Sequence, residues 1–153
     1  MRKMKWDQGL ATTIQDFVNG CPITKFPTHF GQNVHTESTI FSNISDAEAL
    51  SAAKNWESQF ISFGLSSIQF NEALREAATQ MAWADTEFIG CGAKKCESPF
   101  LPGMDVLFEF RMACLYKEKG NILNSNIYQQ GKACSSCPSG FKCEGDSGLC
   151  VRN

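Results

Sequence analysis

The residues best suited to chemistry are eight cysteines. A thiolate can attack an electrophile or bind a metal, and a thiol pair can close a disulfide. Spacing decides among these. Cys91-Gly-Ala-Lys-Lys-Cys96 is too wide for a redox C-x-x-C motif and wrongly spaced for a zinc knuckle. It fits a strand whose two cysteines bond to different elements. Cys134-x-x-Cys137, Cys143 and Cys150 admit two readings: a four-cysteine zinc site or a two-disulfide knot. A zinc ribbon usually carries a second close pair, whereas six residues separate Cys143 from Cys150. Two histidines, His29 and His35, stand apart from any cysteine or carboxylate pair. There is no Gly-x-Ser-x-Gly elbow, no paired metal histidines and no phosphate-binding glycine loop.

The chain of 153 residues can hold one core and a small appendage. An even cysteine count, with half of the cysteines in the last twenty residues, favours an oxidising, extracellular setting. A net charge of −2 gives no basic footprint for nucleic acid or an anionic membrane. No apolar run approaches a membrane span, so no transmembrane segment is expected. Met1 to Lys5 looks like a basic leader start, but Trp6-Asp7-Gln8 follows in place of an apolar segment. Asn43-Ile44-Ser45 is a glycosylation sequon, and Ser45 with Glu48 forms a capping-box pattern. The two readings of Ser45 are compatible.

The elements that must position these residues follow from periodicity. Residues 7–20 predict a helix with Leu10, Ile14, Phe17 and Val18 on one face and Gly20 at its end. A short extended piece is expected around residues 32–36. A second helix follows Ser45, with Leu50, Ala53, Trp56, Phe60 and Ile61 as its apolar stripe and Gly64 as its stop. Residues 70–81 predict a third helical stretch, carried by Phe70, Leu74, Ala77, Ala78 and Met81. Residues 83–94 and 106–116 read as strands, separated by Pro99, Pro102 and Gly103. After Gly120 large apolar residues become scarce, so that tail is expected to bury little core and to need cross-links. Alternating helices and strands predict a layered α/β (α+β) protein.

Three segments carry a resemblance to a known family: AWADTEFIGCGAKKC from Ala82, Gly31-Gln32-Asn33, and CLYKEKGN from Cys114. Together they resemble the CAP superfamily of cysteine-rich secretory, antigen 5 and pathogenesis-related proteins. The branch is the nematode ancylostoma-secreted, or venom-allergen-like, group. The resemblance implies an α-β-α sandwich lacking its first helix, with the chain N-terminally incomplete. Residues 1–117 would be the truncated CAP (SCP) domain and residues 118–153 a cysteine-rich, hinge-like tail. The missing helix would cover apolar surface left by Leu10, Ile14 and Phe17. The implied disulfides are Cys21–Cys96, Cys91–Cys114, Cys134–Cys143 and Cys137–Cys150, a choice that spacing could not make among 105 pairings. A further family disulfide is missing at both ends, where Phe30 and Lys117 stand. Gln8 replaces a cysteine found in many nematode relatives.

Many CAP domains line a cavity with two histidines and two glutamates, some of which hold a divalent metal. Carried over residue by residue, these positions are Lys25, Gln32, Gln59 and Ala77, a degenerate tetrad. Neutral amides cannot act as general bases, Lys25 would repel a cation and Ala77 supplies no ligand. The loop from Cys21 to Gly31 is shorter than usual, so the first position admits a slipped match that would place His29 near the cavity mouth. His35 points to the strand face opposite Gln32, and Glu57 lies on a different helix face from Gln59. The resemblance therefore implies no catalytic residue, no cofactor and no metal. It implies a secreted, non-enzymatic parasite product that acts on a host or other extracellular partner, a protein or a lipid. A second reading is a lipid or sterol carrier, with Phe60, Phe63, Leu65 and Phe70 lining a groove. A third, a metal-dependent enzyme, is opposed by the missing tetrad.

Overall fold

A computed structural model of the protein describes all residues except Glu72, Arg75 and residues 98–106, together with the backbone alone at Phe63. Pro99, Pro102, Gly103 and the expected strand start at Val106 lie outside the described residues. In chain order the elements are β1 (Lys5–Trp6), α1 (Gln8–Asn19), β2 (Gly31–Thr39), α2 (Asp46–Phe63), α3 (Glu76–Met81), β3 (Phe88–Glu97), β4 (Phe108–Lys117), β5 (Phe141–Glu144) and β6 (Leu149–Arg152).

Strands β1, β3, β4 and β2, in that spatial order, form one sheet. β1 runs parallel to β3; the other pairs are antiparallel. Successive side chains alternate between the two faces. On β4, Ala113 and Leu115 point to α1, while Cys114 and Tyr116 point to α2 and α3. Each face is thus covered by helix, and the fold is an α-β-α sandwich.

Asp7 starts α1 by accepting the Leu10 N–H on its carboxylate at 2.9 Å. Leu10, Ile14 and Val18 share one helical face and are buried against Ala113 and Leu115. The expectation that Leu10, Ile14 and Phe17 leave apolar surface for another helix is corrected for Leu10 and Ile14, while Phe17 is only partly buried. The sheet itself covers this stripe, and Ile14 is wholly buried. Two glycines permit the close approach. A Cβ on Gly90 would stand 2.3 Å from the Ala11 nitrogen, and one on Gly92 2.6 Å from the Gln15 Cα.

On the other face, Ser45 caps α2 in a complete capping box with Glu48. Glu48 also pairs with Lys95 of β3, which fixes the start of α2 to the sheet. The buried line of α2 is Ala52 and Trp56. Leu50 and Ile61 are exposed, which corrects the expected stripe: the sheet touches only one flank of this helix. The helix expected over 70–81 begins only at Glu76. Before it, the Phe70 N–H donates to the Ser125 carbonyl and the Phe70 carbonyl accepts from the Asn124 N–H. Pairing with the tail takes the backbone groups that a helix would need. The strand expected from residue 83 starts at Phe88, since Trp83 turns inward to pack with Phe70 and Ile127.

The tail buries more than its composition suggests. Ile127 is fully enclosed with Phe70, Leu74 and Trp83. β5 and β6 form a hairpin that the N-terminal residues join: Cys150 N–H donates to the Met1 carbonyl, and Lys3 N–H to the Cys150 carbonyl. Disulfides link Cys134 to Cys143 and Cys137 to Cys150 in the tail. In the sandwich Cys21–Cys96 ties the end of α1 to the exit of β3, and Cys91–Cys114 joins facing positions of β3 and β4.

Candidate functional site

The loop between α1 and β2, the start of β2 and the start of α3 converge on a cleft of about 270 Å³. Lys25, Gln32, Glu76, Gln80 and Lys119 line it. Lys25 is exposed and its Nζ lies 3.7 Å from Glu76 Oε2. Gln32, on β2, is half-buried, and its Nε2 is enclosed without a hydrogen-bond partner among the described residues. Gln59 sits on α2 with its Oε1 likewise enclosed and unpartnered. Ala77 packs in the layer of Trp56 and Tyr116. Of the four carried-over positions, Lys25 and Gln32 share this cleft, while Gln59 and Ala77 belong to the helical layer on the other sheet face. His29 is exposed and stacks on Phe30 with ring centroids 4.2 Å apart. His35 lies near Phe110 and 3.4 Å from Glu37, on the opposite face from Gln32. Glu57 is exposed.

The chemistry of these groups does not fit a zinc ion. An ammonium, two neutral amides and a methyl group provide neither imidazole nor carboxylate. Among the described residues no cluster of three or more histidines, cysteines, aspartates or glutamates could hold a metal. Nor can the amides remove a proton from a nucleophile.

The motif residues around these positions perform structural work instead. Asn33 is buried; its Nδ2 donates to the Ala77 carbonyl at 3.0 Å and to the Tyr116 hydroxyl at 3.1 Å. Burial holds that hydroxyl protonated well above the usual phenol range, against the opposing effect of the Asn33 bond. Gln80 donates to Thr86 Oγ1 at 3.2 Å and accepts from the Gly120 N–H at 2.9 Å. Thr86 in turn donates to the Glu118 carbonyl. Gly31 sits so close that a Cβ would stand 2.1 Å from Gln80 Oε1. Sequence reasoning did not single out Glu76, Gln80 or Lys119. Glu76 and Lys25 are far apart in the chain, and only the packing of α3 beside β2 joins them.

The family model of the cysteine-rich secretory proteins, CAP, matches residues 1–116. The chain belongs to this CAP family. It is 29% identical to mouse peptidase inhibitor 16 over 94% of its own length and 28% of that protein. It is 32% identical to a CRISP/Allergen/PR-1 protein of Trittame loki over 98% of its length and 40% of that protein. The chain thus spans less than half of these curated relatives. Among solved structures, NaASP2 with Zn2+ superposes with a TM-score of 0.77 at 23% identity, over 98% of this chain and 76% of that one. BmVAL-1 gives 0.73 at 26% identity, with the same two coverages. The CAP sandwich and the likeness to ASP and VAL proteins agree with the resemblance carried by Gly31-Gln32-Asn33 and the Cys91 and Cys114 segments. No helix among the described residues is long and apolar enough to cross a membrane.

Proposed function

We propose that this chain is a secreted, non-enzymatic CAP protein that acts by surface recognition of an extracellular partner, as a parasite product meeting its host. One observation carries the reading: Asn33 and Gln80 are committed to structural hydrogen bonds, while Lys25, Gln32, Gln59 and Ala77 offer no ligand or base. Four cross-links suit an oxidising environment. We read residues 1–117 as the CAP unit and residues 118–153 as its hinge-like tail; a family match over residues 1–116 supports that boundary. Asn43 is exposed beside the α2 cap and would be a glycosylation acceptor.

Relatives carry the names of peptidase inhibitors, and one similar structure is a hookworm platelet inhibitor. The test follows from those names. The oxidised protein is assayed for inhibition of platelet aggregation and of peptidases, with and without a chelator. Any effect should persist in chelator and after Lys25→Ala. Chelator-sensitive turnover of a substrate would overturn the non-enzymatic reading.

A lipid or sterol carrier is the second reading. Leu65 and Phe70 do not line a groove but pack in the core with Trp83 and Ile127, and the Phe63 side chain lies outside the described residues. Support for a carrier comes from elsewhere in the molecule, an apolar groove beside the end of α1.

A further inference from the structure

The segment between β2 and α2 presents three large apolar side chains to solvent within five residues. Ile40 and Phe41 are each 68% exposed, and Ile44 is 45% exposed. Single exposed apolar residues are ordinary, but a cluster on one short loop marks a surface that something covers. The same loop carries the sequon Asn43-Ile44-Ser45, so the acceptor amide lies inside the apolar cluster. Phe41 stands two residues before Asn43, no more than about 7 Å along the chain. The backbone bends at Ser42 and Asn43, which shortens that span.

Both ends of the loop are anchored. The Phe41 N–H donates to Thr39 Oγ1 at 3.2 Å, at the end of β2. The Ser45 N–H and hydroxyl both donate to Glu48 Oε2, at 3.0 and 3.1 Å, and Ser45 Oγ accepts from the Glu48 N–H at 3.3 Å. Glu48 is in turn held to the sheet by Lys95. Phe41 and Asn43 therefore sit on a short platform between two fixed points. Little further ordering is needed when a group packs there.

We propose that Asn43 carries an N-linked glycan whose first N-acetylglucosamine packs on the ring of Phe41 and shields the apolar loop from solvent. The inference rests on the reading of Asn43 as an acceptor and adds what the glycan does. In the transfer, Nδ2 of Asn43 bonds to the anomeric carbon of an oligosaccharide carried on a polyprenyl diphosphate. The bond from that carbon to the diphosphate oxygen breaks, its electron pair leaves with the diphosphate, and the amide gives up one proton. One face of the attached pyranose presents axial C–H groups, whose partial positive charge suits the negative face of a phenyl ring. Apolar area on both partners then leaves water. The folded chain commits the Ser45 hydroxyl to its cap, so transfer precedes the closing of α2. The sugar gives an apolar loop a hydrated outer surface.

The experiment expresses the full chain in a eukaryotic secretory line that adds high-mannose glycans. The glycosylated protein is compared with the same protein trimmed to a single N-acetylglucosamine by an endoglycosidase, and with Asn43→Gln. Intact mass should show Asn43 occupied. The trimmed form should melt roughly 2–4 °C above Asn43→Gln and bind less hydrophobic dye. Its N-acetyl methyl proton resonance should lie upfield of that of the free sugar, within the ring current of Phe41. Phe41→Ala, at an exposed position, should return the methyl to the free-sugar position. It should also erase the Tm difference between trimmed and unglycosylated protein. An unmodified Asn43 would overturn both the proposal and the acceptor reading. An occupied Asn43 with an unshifted methyl, or a Tm difference that survives Phe41→Ala, would overturn the packing and leave the acceptor reading standing. A dimer of the glycosylated protein that Phe41→Ala dissolves would give the loop to a second copy and overturn the shielding.

Discussion

Asn33 Nδ2 donates to the carbonyl oxygen of Ala77 at 3.0 Å, tying the edge strand β2 to helix α3. The same amide nitrogen reaches the Tyr116 hydroxyl on β4. One buried side chain therefore joins two strands and a helix. Asn33→Leu should leave the Ala77 carbonyl and the Tyr116 hydroxyl buried without this donor, at a cost of about 1–3 kcal/mol. The check is urea unfolding, with a lower midpoint and an unchanged slope.

Gly31 and Gln80 form the second joint. In Gly31→Ala the new methyl would displace the Gln80 amide, and Gln80 cannot move without losing Thr86 and Gly120. The expected loss is about 1–3 kcal/mol, as for other overpacked interiors. Combining it with Gln80→Ala should cost less than the sum of the two single changes, because the smaller side chain frees the space. Additive costs in a double-mutant cycle would contradict the contact.

The acid limit of stability should depend on two carboxylates. Glu87 is buried, and its hydrogen bonds from Arg152 hold it below the usual carboxylate range against the opposing effect of burial. Glu48 is lowered first by its bond from Lys95, and further by Ser45. A depressed carboxylate contributes stability that is present above the unfolded value, about 4.3, and is lost as pH falls through the folded value. Melting temperature should therefore drop as pH falls below about 4. Glu87→Gln should lower Tm at neutral pH and flatten that acid decline. An unchanged acid profile would mean that the Arg152 pair contributes nothing.

Cross-links hold the tail against the N-terminal residues. Cys137→Ala with Cys150→Ala removes one of the two tail disulfides, for which a loss of about 2–5 kcal/mol is typical in small domains. Amide exchange should rise first at Lys3 and Cys150, whose backbone groups pair. Uniform loosening of the α1 face instead would contradict a local role.

Much of this was legible in the sequence because the signals are local. Asp7, Ser45 with Glu48, Gly20 and Gly64 mark helix ends through hydrogen bonds made within a few residues. The face of α1 follows from 3.6-residue spacing. The errors fall where distant partners override local pattern. Residues around Phe70 have helical spacing, but Ser125 and Asn124 take their backbone groups. Leu50 and Ile61 continue an apolar stripe that no second layer meets. Gly90 and Gly92 interrupt a strand pattern, and only the packed structure shows that they admit α1 to the sheet. At the site, the four degenerate positions could be placed only through family resemblance. The Lys25–Glu76 pair and the groove beside Val34 arise from packing that no local pattern encodes.

We propose that Lys25, Gln32, Gln59 and Ala77 of this CAP domain cannot ligate a metal. Zinc titration of the oxidised protein at neutral pH measures it most directly. No stoichiometric heat is expected, and none should appear after Gln32→Ala or His29→Ala. A one-to-one, submicromolar site abolished by His29→Ala would contradict the account, since it would bring that histidine into the cleft that Lys25 and Gln32 line.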